Sequence, residues 1–113
     1  MILALDKHSA LYVFLSPEEA ERHLEAIDVQ QDEIEFCDER GQRYVPVYTI
    51  PPKVSRLGPL GFVDIGAFRL VTQGCIDPGL PERSVERAAH IEHTSIPTIV
   101  SIQSLRDALQ KRA

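Results

Sequence analysis

His90 and His93 stand three residues apart, and on a helix that spacing turns two imidazoles toward one ion. Zinc takes three or four protein ligands, and no third has suitable local spacing: Glu92 falls off the shared face, and His8 and His23 join only through tertiary folding. The plainer alternative is two polar side chains at a helix C-terminus, where imidazolium is favoured. No metal and no cofactor is therefore expected. Carboxylates are plentiful: ten of the seventeen fall between Glu18 and Glu39, with Arg22 the only Lys or Arg among them. Carboxylates do acid–base work when a concave, partly apolar site shifts their pKa values. Here they are expected on an exposed helix face, an exposed strand face and a turn, which keep them solvated and ionised. No G-x-S-x-G is present, Cys37 and Cys75 form no C-x-x-C, and spacing recommends no Cys–His pair. Gly58-Pro59-Leu60-Gly61 is a poor phosphate cradle, because proline removes an amide and the P-loop lysine is missing. An enzyme is not expected.

The charge is lopsided. Residues 1–50 hold eleven acids against four bases, and residues 51–113 hold six against eight, within a chain of net charge −5. Such an N-terminal half repels phosphate and anionic lipid and steers basic partners toward itself. Lys53, Arg56 and Arg69 are dispersed, tryptophan is absent and aromatics are few, so nucleic-acid binding is disfavoured. No apolar run approaches the roughly 20 residues of a membrane span. The run Met1–Leu5 meets Asp6, Lys7 and His8 at once and is too short for a signal sequence, so a cytoplasmic location is expected. In that setting the two cysteines are expected to be reduced and packed.

The elements that would position these groups follow from periodicity. A length of 113 residues with 43% apolar content suits one domain, residues 1–113. Ile2–Leu5 and Ala10–Leu15 are apolar runs around the polar turn Asp6–Ser9 and predict a hairpin whose strands are covered on both faces. Ser16 as N-cap, Pro17 at the first helical position and Glu19 closing a capping box predict a helix to about Ile27. Ala20, Leu24 and Ile27 would be its buried stripe, and Glu18 would pair with Arg22. Asp28–Asp32 reads as a polar connection. Glu33–Asp38 alternates as a strand with Ile34 and Phe36 on one face, Asp38–Gln42 turns, and Arg43–Ile50 returns as a strand that Pro46 confines to an edge or breaks. The glycines and prolines of Lys53–Gly66 predict a long loop. Ala67–Gln73 suits a strand better than a helix, and Gly74–Pro81 is a loop. Glu82–His93 reads as a helix with Val85, Ala88, Ala89 and Ile91 inward. Ile96–Val100 is β-prone. Ser101 caps a last helix that Lys111 and Arg112 complement at its end. The expected class is α+β, a mainly antiparallel sheet with about three helices packed on it, without internal repeats.

The acidic cluster then becomes the candidate binding surface: Glu21, Glu25, Asp28, Asp32, Glu33, Glu35, Asp38 and Glu39, with Tyr44 and Tyr48 adding aromatic contact. Against it stand an ordinary solvated face for the acids and partial core packing for the tyrosines. The stretch Ser16–Pro46, SPEEAERHLEAIDVQQDEIEFCDERGQRYVP, resembles the N-terminal half of small immunity proteins of bacterial polymorphic-toxin and contact-dependent inhibition systems. The shared features are a leading hairpin, a capped S-P-E-E-A helix and a hairpin built as E-F-x-D-x-x-G. The resemblance implies a non-enzymatic cytoplasmic protein that binds and blocks one cognate toxin domain, often a nuclease with a basic cleft. Two rival readings stay open. One is a small enzyme or ligand-binding domain using the Lys53–Gly66 loop with His90 and His93. The other is an oligomerising module that adds strand Arg43–Ile50 to another sheet.

Overall fold

The runs Ile2–Leu5 (β1) and Ala10–Phe14 (β2) form an antiparallel hairpin at the centre of the molecule, in the register Ile2↔Phe14 to Leu5↔Leu11. Their turn is organised by Asp6, buried, whose Oδ1 accepts from the amides of His8 at 2.8 Å and Ala10 at 3.0 Å. The computed structural model describes residues 1–57, 60–64 and 66–111, with side chains for residues 1–52 and 66–111. Gly58 and Pro59, weighed above as a phosphate loop, and Arg112, expected at the last helix end, lie outside the described residues.

Where one helix is predicted to reach Ile27, two short ones form: α1 (Pro17–His23) and α2 (Ala26–Gln31). Leu24 and Glu25 between them are extended, and the residues expected to connect, Asp28–Asp32, are largely the second helix. The break redirects the chain so that Ala20 from α1 and Ala26 and Val29 from α2 all bury, in place of the straight stripe through Leu24 and Ile27. Glu33 is not in a strand; it sits at φ 50, turning the chain into β3 (Glu35–Asp38). Asp38 repeats the device of Asp6: buried, it accepts from the amides of Arg40 and Gln42, both at 2.9 Å, and folds the turn into β4 (Arg43–Ile50).

Pro46 does not break β4. The strand pairs with β3 only at Tyr44 and Arg43, and with β7 (Ala67–Gln73) along its whole length. Pro46 lies past the β3 pairing, so its missing N–H leaves no β3 carbonyl without a donor. Between β4 and β7 in sequence, the expected loop is a second hairpin, β5 (Lys53–Leu57) and β6 (Leu60–Asp64), a separate two-stranded sheet. Its glycines and prolines masked the β-branched and aromatic residues Val54, Phe62 and Val63.

The predicted helix through His93 stops early. Helix α3 spans Leu80–Arg87, Ala88 is extended, and His90–Thr94 is strand β8, lying parallel to β2. The same residues satisfy both periods; the open edge of β2 decides in favour of the strand. Ile96–Val100 makes no strand, since Pro97 cannot join a ladder; it turns instead, burying Ile99. Helix α4 (Ile102–Gln110) starts with a full capping box between Ser101 and Ser104 and buries Leu105 and Leu109.

The six strands run in the order β7-β4-β3-β1-β2-β8, antiparallel except for β2 with β8. Alternation along β1 and β2 sends Ile2, Ala4 and Phe14 to one core and Leu3, Leu5, Leu11 and Val13 to another. Residues of α1 and α2 complete the first core, and residues of α3 and α4 the second. The strands are covered on both faces, as their unbroken apolarity requires. The result is an α+β domain with a mixed, mainly antiparallel sheet and four helices where three are expected.

Candidate functional site

The acids divide according to what the fold does with them. Glu21, on α1, sends its Oε2 to the amide of Leu70 at 2.8 Å. That amide belongs to β7, an edge strand, so this carboxylate covers an edge donor as well as docking the helix. Asp38 is the buried turn organiser. Glu39 pairs with the α-ammonium group of Met1 at 2.9 Å. Glu35 points to the face of the sheet that carries α3, where Arg87 Nη1 meets it at 3.2 Å. Asp32 stands 3.9 Å from His8 Nε2 and is half-buried. Glu18, Glu25, Asp28 and Glu33 are exposed, and among the described residues their side chains make no hydrogen bond or ion pair. The expected Glu18–Arg22 pair does not form. The eight candidate acids therefore do not share one face. What stays together is a short stripe along α2: Asp28 in its first turn and Glu25 and Asp32 at its two caps, spaced i, i+3 and i+7, alongside the buried Ala26 and Val29, with Glu33 at the helix exit.

Tyr44 and Tyr48 are half-buried against the first core, and burial pushes both phenols upward, with Asp38 next in importance at Tyr44. Tyr12 is also raised, by burial first and then by Asp6, Glu92, Asp32 and Asp28. Cys37 is buried beside Ser84, and burial pushes its thiol up to about 11, far from thiolate chemistry at neutral pH. Cys75 is exposed rather than packed, and the two are not bonded to each other.

A polar cluster absent from the expectations forms where α1 meets β8. Ser16 caps α1 by accepting from the amide of Glu19 at 3.3 Å. The capping box is not completed, because the Glu19 carboxylate passes over the Ser16 amide. It accepts instead from the Leu15 amide at 3.2 Å and the Ser95 hydroxyl at 2.7 Å. Those two donors, the Ser95 hydroxyl foremost, hold its carboxyl below the usual range. At the other end of α1, His23 stacks on His93 with ring centroids 3.9 Å apart and planes inclined by 23°. Phe14 lies under both rings, at 5.5 Å from His23 and 5.4 Å from His93. With Glu19, Arg22 and Ser95 they line an open cavity of about 310 Å³. His23 and His93 are far apart in sequence, so only the pairing of β8 with β2 brings them together.

Chemistry at this cluster is constrained by its geometry. Metal–imidazole bonds lie in the ring plane, and near-parallel rings 3.9 Å apart cannot direct both lone pairs at one ion. The Ser95 hydroxyl donates to Glu19 and accepts from the Leu15 amide at 2.9 Å, so it is not presented to an imidazole as a nucleophile. His90 belongs elsewhere: its Nε2 meets Glu92 Oε2 at 2.8 Å. The H-x-x-H pair thus lies on a strand and serves two different surroundings. Among the described residues, no group of three or more His, Cys, Asp or Glu side chains could hold a metal ion. The strand Arg43–Ile50, considered for adding to another sheet, is paired along one side with β7 and on its other side with β3 only at Arg43 and Tyr44. No described helix is long and apolar enough to cross a membrane.

Comparison with known proteins finds no matching family model, curated protein or solved structure.

Proposed function

We propose that the chain is a non-enzymatic, cytoplasmic, immunity-type protein that binds and neutralises a cognate toxin domain presenting a basic surface. The observation that carries this reading is the α2 stripe. Glu25 and Asp28 are exposed, unbonded carboxylates at the N-cap and in the first turn of a short helix that Ala26 and Val29 anchor in the core, and the exposed Glu33 follows at the helix exit. Charges held on a rigid element and free of internal partners attract and orient a cationic surface without first breaking an internal bond. Glu21, Asp38, Glu39 and Glu35 contribute less to such a surface, since each already serves a contact within the domain. The ammonium and guanidinium donors of a nuclease cleft are the natural complement of the stripe.

The test is calorimetric titration of the full chain with the protein encoded immediately upstream. Binding is expected to weaken steeply between about 0.1 M and about 1 M salt, as screening shortens from roughly 10 Å to roughly 3 Å. Reversing Glu25, Asp28 and Glu33 to lysine together is expected to cost on the order of 100-fold in affinity. Reversing Glu35 alone should cost much less. An affinity indifferent to both salt and the triple reversal would remove the reading.

A further inference from the structure

The contact between α1 and β8 has two parts, and they respond differently to protons. We propose that His23 and His93 are a proton-operated latch: with at most one imidazole charged the rings stay stacked over Phe14, and a second proton drives them apart and loosens β8 from the sheet. Like charges at a centroid separation of 3.9 Å repel strongly, and more so where a ring is partly shielded from water. His93 is half-buried, and its imidazole is held below its ordinary value by burial first and by His23 second, with Glu19 opposing.

Every neighbour bears on the balance. From α1, Arg22 adds a further cation to the cavity wall and Glu19 supplies an anion, the one acid in that wall among the described residues. Glu19 is engaged by Ser95 and Leu15, and its lowered carboxyl stays ionised throughout the imidazole range. From β8, Glu92 is occupied by His90. From β2 come Phe14 and, stacked beside it at 6.4 Å, Tyr12, which is uncharged in this range. One carboxylate with two bonds of its own thus faces two imidazoles and a guanidinium.

The strand at stake lies at an edge of the sheet. β8 is an edge strand joined to the sheet only through β2. Its register slips between Ile91 and His93, leaving Glu92 as a bulge residue without a partner on β2. Segments with few ladder bonds open locally at low cost. The sign follows from the depressed imidazole. The unfolded chain binds the proton more readily, so the closed contact is fully present above the ordinary imidazole value near 6.5. It is lost as pH falls from there through the lower value of His93 in the fold.

The experiment is an NMR titration of the full chain, following both imidazoles and the exchange of the His93 and Ser95 amides, which face β2, from about pH 7.5 to about pH 5. His93 is expected to titrate below the ordinary imidazole value, and the His23→Gln variant is expected to move the His93 midpoint upward. Protection of these two amides, corrected for intrinsic exchange, should fall at least about fivefold in the wild type, the factor for two unit charges repelling at this spacing in water-like surroundings. It should hold nearly level in His23→Gln, while β1 amides stay protected in both. Should that variant fail to fold, the wild-type titration decides: two imidazoles titrating independently at ordinary values, or β8 protection that ignores their titration, overturns the proposal. In a folded variant, an unmoved His93 midpoint or the same loss of protection overturns it equally.

Discussion

Replacing Gly41 with alanine is expected to lower the free energy of unfolding by more than about 3 kcal/mol, a large share of the roughly 5–15 kcal/mol available to a domain. Gly41 has φ 91, where an L side chain is strained by about 1–3 kcal/mol. A Cβ there would also lie 1.7 Å from the Asp77 carbonyl oxygen. Neither backbone yields readily. The Asp77 amide donates to the Gly41 carbonyl at 3.0 Å, and Asp77 is held in turn by Arg83 and by the amide of Gly79. Gly74→Ala is the control, with φ 63 and nothing within 4 Å, and it should cost only about 1 kcal/mol. Urea denaturation of the two variants checks the difference; equal midpoints would mean that the contact between the β3–β4 turn and the loop before α3 does not hold.

Phe14→Ala is expected to cost about 3–5 kcal/mol, the usual range for emptying a phenylalanine site in a core. Phe14 is fully buried on β2 and is the platform on which both histidines rest. The neighbouring Leu15 is 61% exposed, and Leu15→Ala should change stability by less than about 0.5 kcal/mol. Thermal or denaturant unfolding of the pair distinguishes packing from a general sensitivity of this segment. A Phe14 variant as stable as the Leu15 variant would contradict the burial described for β2.

The contrast between legible and illegible elements has physical causes. β1, β2 and their turn can be read directly, because two continuous apolar runs around four polar residues have few other uses. Ser16 and Ser101 mark their helices, since a hydroxyl before a helical run satisfies amides that nothing else reaches. The turn Asp38–Gln42 is equally open to reading, though not the burial of its aspartate. Residues 82–93 are misread because Val85, Ala88, Ala89 and Ile91 fit a helix locally, while the competing partner, the edge of β2, lies about 80 residues away in the chain. The Lys53–Gly66 segment fails for another reason: its punctuating glycines and prolines outweigh a strand signal spread over short halves. At the candidate surface, sequence counts charge but does not show direction. Glu21 and Glu39 look as free as Glu25 until β7 and the chain start are set beside them. The stacked histidines carry no local signal, since they meet only after two distant segments have folded.

The two thiols end up in opposite situations. Cys37 is enclosed by the second core, whereas Cys75 stands in solvent two residues from the Asp77 that Gly41 approaches. A maleimide dye added to the native protein therefore has one accessible cysteine, next to the close approach of Gly41 to Asp77. Uptake of a second dye marks a chain whose interior has opened, so the fold supplies its own fluorescence readout of integrity without an engineered cysteine.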